Sequence, residues 1–574
     1  MKNFVQLKKN LKKDFTGLRT LKIALLGDSA TQFLNQAIKG LGYDNGYNLN
    51  LWEADFNQIE RQVFDSSSEL YEFDPDVIIL FRSSQKLLGK YNKLPLEGQQ
   101  QLAKNELDLI DSLNNTILKN TTAKVIYYNY TEINDAVFGN FANKIESSFL
   151  FQLRKLNYEL MLLAQNNPNL YLCDLSSLQN NLGKSTLFNP SLYVSTDMVL
   201  SLDALPHVAM VTIDLIKAIY GKFKKCIILD LDNTTWGGII GDDGIENIQI
   251  GSLGIGKAFT ELQQWVKKLK NRGIIVAVCS KNTESVAKEP FKKHPDMVLS
   301  LDDISVFKAN WDNKADNIRQ IQKVLNIGFD SMVFLDDNPF ERNIVRENLP
   351  DVLVPELPED PTHYLEYLYS LNLFETVSFS KEDKDRTKLY QIEAERVKAH
   401  EKFTNEDDFL QNLEMISKVE EFNSFNIPRV AQLSQRSNQF NLRTIRYTEA
   451  EIEQISKSEK FKNFAFSLKD KYGDNGLICV VILKKLNATE LFIDTWFMSC
   501  RVLKRGMENF VLNTLVSYAK ENNFKRIIGE YITTEKNHMV KEHYPELGFI
   551  KENGLFVLDT STYNDKKSFI TANN

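Results

Sequence analysis

The segment Cys226-Ile227-Ile228-Leu229-Asp230-Leu231-Asp232-Asn233-Thr234 constrains the chain more than any other. A short, continuous apolar run of this kind predicts a strand buried on both faces, the habit of a parallel sheet covered by helices. The run ends in two carboxylates two positions apart. On a strand those positions face the same side, so Asp230 and Asp232 are expected to point into one site. Like charges so close repel unless a cation joins them or one takes a proton, and a Mg²⁺ ion held by oxygen ligands meets that need. A second pair, Asp336-Asp337, ends another apolar run, Met332-Val333-Phe334-Leu335, and is expected to complete the metal shell. Carboxylates from two strand ends, joined by a lysine, suit a phosphate bound through the metal. A single Asp pair at a strand end is more often a turn or a helix cap; several such elements in order carry the reading.

Apolar runs alternate with helix-period stretches up to residue 370, the pattern of a parallel sheet covered by helices. The fold class is α/β, in three domains: residues 1–221, 222–372 and 373–574. The first is expected to carry strands at 21–26, 77–81, 123–128 and 170–175. The second, a small doubly wound sheet, is expected to have strands at 226–232, 273–280, 297–301, 331–337 and 351–354, with its ligand at their carboxyl ends. The third reads as α+β. Charged helical stretches at 381–399 and 406–413 precede strands at 464–469, 478–483 and 491–498, a helix at 505–522, and strands near 526–530 and 554–558.

The net charge of -7 gives no electrostatic reason to expect nucleic acid or an anionic membrane as partner. No apolar run approaches the roughly 18 residues of a membrane span. Five cysteines, Cys173, Cys226, Cys279, Cys479 and Cys500, never fall at metal-ligand spacing and read as reduced thiols of a cytoplasmic protein.

The Asp-x-Asp-Asn-Thr segment after a buried strand resembles the first motif of the haloacid dehalogenase (HAD) superfamily. The resemblance implies a Mg²⁺ site of Asp230, Asp232, Asp336 and Asp337, with Asp230 as the nucleophile that accepts a phosphoryl group and Asp232 as general acid/base. Ser280, which ends the strand Ile274-Ile275-Val276-Ala277-Val278-Cys279, matches the second motif, and its hydroxyl would bond a phosphate oxygen. Lys281 and Asn282 beside it, with Asn233 and Thr234, are expected to bind substrate. Asn282-Thr283 can open a helix whose free N–H groups favour an anion. Lys314 matches the third-motif lysine, with Lys308 as its rival. The gaps between motifs are short, so the HAD-like domain is expected to lack a large cap.

The following stretch, Thr235-Trp236-Gly237-Gly238-Ile239-Ile240-Gly241-Asp242-Asp243-Gly244, resembles the FkbH-like branch of that superfamily. So do the stretches Ala431-Gln432-Leu433-Ser434-Gln435-Arg436-Ser437-Asn438-Gln439-Phe440-Asn441 and Tyr472-Gly473-Asp474-Asn475-Gly476. That resemblance implies an enzyme that dephosphorylates 1,3-bisphosphoglycerate and loads the glyceryl group onto an acyl carrier protein. An acyl phosphate calls for a thiolate acceptor. Cys279, next to Ser280, and Cys500, at a strand end, are the two candidates. The alternatives are a phosphatase of a sugar phosphate or other small metabolite, coupled to acyl transfer in polysaccharide or secondary-metabolite synthesis, and a non-catalytic scaffold.

The flanking domains also resemble known folds. Gly27-Asp28-Ser29 after a strand is similar to the first block of SGNH hydrolases, which would make Ser29 a nucleophile with His207 and Asp203 as partners. The Asp203–His207 spacing is one residue too long, and Leu80-Phe81-Arg82-Ser83-Ser84 lacks the oxyanion block, so a degenerate docking domain is expected. The third domain resembles the GNAT acetyltransferases, implying acetyl-CoA or a phosphopantetheine arm near Arg505-Gly506. Glu508 and Phe510 stand there in place of the small residues that would admit a pyrophosphate.

Overall fold

In the computed structural model, which describes residues 2–379, 386–400, 402–534 and 536–573, the apolar runs become the central strands of three sheets. The chain divides into two compact units, Met1–Lys217 and Ala218–Asn574.

The first unit holds a parallel sheet of β1 (Arg19–Gly27), β2 (Tyr47–Glu53), β3 (Val77–Phe81), β4 (Lys124–Tyr128) and β5 (Leu170–Cys173), in the order β2-β1-β3-β4-β5. Every residue of β3 is buried, as expected for a strand with helices on both faces. Strand β2 escaped the sequence reading because Asn48 and Asn50 interrupt its apolar residues. Its place is decided by pairing with β1, from Arg19 opposite Tyr47 to Leu25 opposite Glu53.

In the second unit β6 (Cys226–Leu229), β7 (Ile275–Ser280), β8 (Val306–Ala309) and β9 (Met332–Leu335) form a parallel sheet ordered β8-β7-β6-β9. Helices α1 (Gly254–Asn271), α2 (Lys314–Leu325) and α3 (Pro339–Asn348) run between or after these strands. No inserted domain separates β6 from β7 or β7 from β8; only short helices and α1 lie there.

Two expected strands do not form. At 297–301 the backbone N–H groups of Val298 and Leu299 donate to Gln263 Oε1, and a capped 3-10 turn follows at Leu301–Asp303, so the fourth strand is β8 instead. At 351–354 the chain makes a single bridge, Leu353 to Val333, in place of a ladder.

The expected charged helix at 381–399 has its first five residues outside the described ones. From Arg386 it is α4 (Arg386–His400), and α5 (Ile427–Arg436) follows. The remaining strands, β10 (Met415–Glu420), β11 (Phe461–Asp470), β12 (Gly473–Lys485), β13 (Glu490–Met498), β14 (Arg526–Gly529), β15 (Ile550–Glu552), β16 (Leu555–Asp559) and β17 (Ile570–Asn573), make one mixed sheet. Its order is β15-β16-β14-β13-β12-β11-β10-β17. Helix α6 (Met507–Glu521) packs its buried Phe510, Val511, Leu512, Leu515, Val516 and Ala519 on this sheet, as the apolar spacing predicts. No helix among the described residues is long and apolar enough to cross a membrane.

Candidate active site

Strand β6 stops at Leu229, one residue before the first carboxylate. Beyond it Leu231 is fully buried, and Asn233 takes a left-handed turn with φ 52°. Asp230 and Asp232 both line one open pocket of about 630 Å³ at the carboxyl ends of β6, β7 and β9. Their side chains nevertheless do different things.

Carboxylate oxygens of Asp230, Asp336 and Asp337 all lie within 4.8 Å of one another, the only such cluster among the described residues. Lys314, at the start of α2, bridges it: Nζ stands 3.0 Å from Asp230 Oδ2 and 2.5 Å from Asp336 Oδ2. Burial alone would lower the Lys314 ammonium, but Asp230 and Asp336 override it and hold it above its usual range. Burial and then the Asp230 charge push the Asp336 carboxyl up, to about 7. Asp337 is raised for the same two reasons. Three acids facing one lysine leave an excess of negative charge in a buried place. That donor set fits a hard divalent cation with oxygen ligands.

Asp232 is not part of the cluster, which corrects its assignment as a side-chain metal ligand. Its Oδ1 accepts from Trp236 Nε1 at 3.0 Å and from the Ile240 N–H at 3.0 Å, and Oδ2 accepts from Asn282 Nδ2 at 2.8 Å. Both acids face the one pocket, as strand spacing predicts, but Asp232 is held away from the cluster by Trp236, Ile240 and Asn282. Trp236 is fully buried, so its indole is a fixed donor. The glycines after it follow from close packing. A Cβ on Gly237 would lie 2.8 Å from Phe259 and Gln249, and Gly238 has φ 90°.

Ser280 and Asn282 line the pocket, and Asn282 Nδ2 also reaches Ser280 Oγ at 3.2 Å. Lys281 lines it too, with Nζ 2.6 Å from Glu341 Oε1. Asn233 is a pocket residue whose Oδ1 accepts from the Gly238 N–H at 2.9 Å. Thr234 is not a substrate contact. It is fully buried, its Oγ1 accepts the Asp337 N–H at 2.9 Å, and it stands 3.2 Å from Asp337 Oδ1. It buttresses the acid.

Cys279 also leaves the catalytic set. It is fully buried, its Sγ lies 3.7 Å from the Lys314 carbonyl, and burial raises its thiol above the ordinary range. A thiol so held is not a nucleophile. Lys308 does not line the pocket, and Lys314 takes the lysine position.

Sequence reasoning missed Arg342, whose Nη1 donates to the Asp336 and Asp337 carbonyls at 2.8 and 2.6 Å and sets the turn that carries both acids. The signal was available: it lies in the first turns of a helix that opens with Asn338-Pro339. Also missed was Trp311, 72% exposed on the pocket rim.

In the first unit, Ser29 Oγ is fully buried and without a hydrogen-bond partner, so it is not paired with His207 as a catalytic serine requires. The Arg505 guanidinium is likewise committed. It donates to the Arg501 carbonyl at 2.6 Å, pairs with Glu393, and lies 3.4 Å from Asp470, which Arg396 also holds at 2.9 Å.

A parallel sheet with an aspartate cluster and a lysine at its carboxyl ends defines a phosphatase-type active site. A similar protein of known structure agrees. The N-terminal part of the protein BF1531 from Bacteroides fragilis, a structure containing a phosphatase domain complexed with Mg, is 59% identical with a TM-score of 0.64; the match covers 66% of this chain and 100% of that one. The chain belongs to the same family as that phosphatase-domain protein. Residues 22–217 match the family described as FkbH, N-terminal domain. Among curated proteins none matches. The ribosomal-protein-S18-alanine N-acetyltransferase of Escherichia coli is similar at 13% identity, covering 26% of this chain and 99% of its own, with a TM-score of 0.21. Ard1 of Thermoplasma volcanium is similar at 17% identity, covering 25% and 97%, with a TM-score of 0.21.

Proposed function

We propose that the chain is a Mg²⁺-dependent phosphoryl-transfer enzyme acting on a small acyl phosphate of the 1,3-bisphosphoglycerate type, and that the acyl group passes to an acyl carrier protein. The observation that carries the phosphoryl half is the Asp230, Asp336 and Asp337 cluster bridged by Lys314 at the floor of an open pocket. Asp230, Asp336 and Asp337 would hold the ion, which when bound supplies charge neutralisation at the phosphoryl oxygens. Asp230 attacks the phosphorus of the phosphomonoester through a carboxylate oxygen and forms an aspartyl-phosphate bond as the ester oxygen departs; the acyl phosphate is left for a thiolate, which attacks its carbonyl, forms the thioester and expels inorganic phosphate. Asp232, oriented by Trp236 and Asn282, supplies the proton that the leaving oxygen takes up, and then draws one from the water that releases phosphate. Ser280 and Lys281 bind the phosphoryl oxygens, and Lys314 holds Asp230 and Asp336 in place while balancing their charge.

The uncapped pocket supports a substrate carried on a macromolecule. Of the two cysteines considered, Cys500 is the one that is not buried, which favours it as the acyl acceptor, reached from a cavity at the amino-terminal ends of the same strands and not from this pocket. The test incubates the full chain with Mg²⁺, 1,3-bisphosphoglycerate and a carrier protein, reading both masses. An acyl adduct lost in Cys500→Ala supports the full reading. Phosphate release from metabolites without any adduct leaves a phosphatase and removes the acyl half. Phosphate release that survives Asp230→Asn overturns the site itself.

A further inference from the structure

At the opposite, amino-terminal ends of β6, β7 and β9 lies a second cavity, of about 420 Å³. Its walls come from Lys225, just before β6, from the turn that precedes β9, from α4 and α5, and from the segment that leaves β13. It shares no lining residue with the phosphatase pocket.

Its charge is out of keeping with the molecule. The chain as a whole carries -7, yet six cations line this cavity: Lys225, Arg386, Arg429, Arg436, Arg501 and Lys536. Against them stand two carboxylates, and one of these, Asp330, is paired with Lys536. Arg386, Arg429 and Arg436 each have a partner and Lys536 is paired with Asp330, which leaves Arg501 and Lys225 as the cations that face the space. Arg501 is the more informative of the two. It is 8% exposed, its Nε donates to Ser499 Oγ at 3.3 Å, and its Nη1 is buried with no hydrogen-bond partner. A guanidinium nitrogen in that state lacks an acceptor that a phosphate oxygen would provide. The Lys225 ammonium donates to the Arg436 carbonyl at 3.0 Å, and burial pushes it down to about 8. Arg501 Nη1 is thus a charged donor without an acceptor, and Lys225 lines the same cavity beside it.

We propose that this cavity is a binding site for a small organic phosphate, with Arg501 and Lys225 as its principal phosphate contacts. The volume exceeds what inorganic phosphate fills and lies in the range of small-ligand pockets. The organic part would lie along the apolar walls that Ile275, Leu433 and Met498 supply. Arg and Lys together suit a phosphoryl group, the one by its planar fork and the other as a point charge. The inference stands on this cavity alone and holds whatever the substrate of the phosphatase pocket.

The test is calorimetric titration of the full chain with inorganic pyrophosphate, in chelator so that no metal-bound phosphate site contributes, with sulfate as the ionic-strength control. The expected result is saturable binding that weakens about tenfold or more in Arg501→Gln and again in Lys225→Met, a replacement that keeps the volume of the side chain. Lys281→Met, in the phosphatase pocket, should leave it unchanged. Circular dichroism checks that each variant is folded; should Arg501→Gln fail to fold, Lys225→Met decides. Absence of binding up to millimolar pyrophosphate overturns the proposal. So does binding that is lost in Lys281→Met and kept in Lys225→Met.

Discussion

Replacing Lys314 by Met removes the one charge that bridges the acid cluster while keeping most of the side-chain volume. Nζ is 3.0 Å from Asp230 and 2.5 Å from Asp336, and the lysine is 3% exposed, so water cannot substitute for it. Removing one partner of a buried ion pair costs about 3–5 kcal/mol, because the remaining charges stay buried and uncompensated. In chelator the second unit of Lys314→Met should therefore unfold with a loss of that size. The loss depends on pH in a direction the acids set. Asp336 is pushed up to about 7 by burial and Asp230, so its stabilising form is the protonated one, favoured at low pH and lost as pH rises through that value. The deficit should be smaller at pH 6 than at pH 8. Saturating Mg²⁺ should restore part of the stability, about 2.7 kcal/mol at one hundred times the dissociation constant. Urea unfolding followed by tryptophan fluorescence is the assay, since Trp236, Trp265, Trp311 and Trp496 all lie in the second unit and only Trp52 in the first. Equal stability of the variant and the original chain in chelator, with an equal response to Mg²⁺, would refute the picture of a lysine-bridged acid cluster.

Trp236→Phe keeps an aromatic ring but removes the donor to Asp232 Oδ1, and should lower phosphate release about tenfold for a stability loss of about 1 kcal/mol, read by kinetics and urea unfolding side by side. Chelation should abolish phosphate release and added Mg²⁺ restore it, measured by inorganic phosphate appearance; activity that persists in chelator would exclude a metal-dependent site. In the first unit burial raises the Asp28 carboxyl to about 6, so its contribution to stability is present near pH 4 and lost as pH rises through 6. Asp28→Asn should accordingly slow hydrogen exchange in β1 and β3 at pH 7–8, by about 2 kcal/mol of local stability, with the difference vanishing near pH 4. Arg505→Met strips a buried cation from Asp470 and Glu393 and should cost about 3 kcal/mol in unfolding measurements; an unchanged stability would return Arg505 to the candidates for ligand binding.

Local physics placed the site's strands and its chemistry in the sequence. A short apolar run such as Cys226-Ile227-Ile228-Leu229 reads as a strand covered on both faces, and two such runs that each end in paired acids point to a shared cation. Asp230, Asp336 and Asp337 were legible for that reason, and Ser280 and Lys314 through the resemblance of their segments to the superfamily's motifs. Strand periodicity put Asp232 in the same pocket as Asp230 but could not decide whether it joins the acid cluster, because its partners Trp236 and Asn282 come from elsewhere in the chain. The roles of Thr234 and Cys279 were equally hidden, since sequence adjacency to a motif says nothing of which way a side chain faces once the chain has folded. Only the tertiary structure turned Thr234 into a buttress and closed Cys279 in the core. Nor could the sequence assemble the basic cavity, whose cations run from Lys225 to Lys536 and meet through the packing of elements hundreds of positions apart. What the sequence determined was the chemistry at each strand end; what the fold decided was which of those groups share a space, because distance in a folded chain is set by packing and not by order.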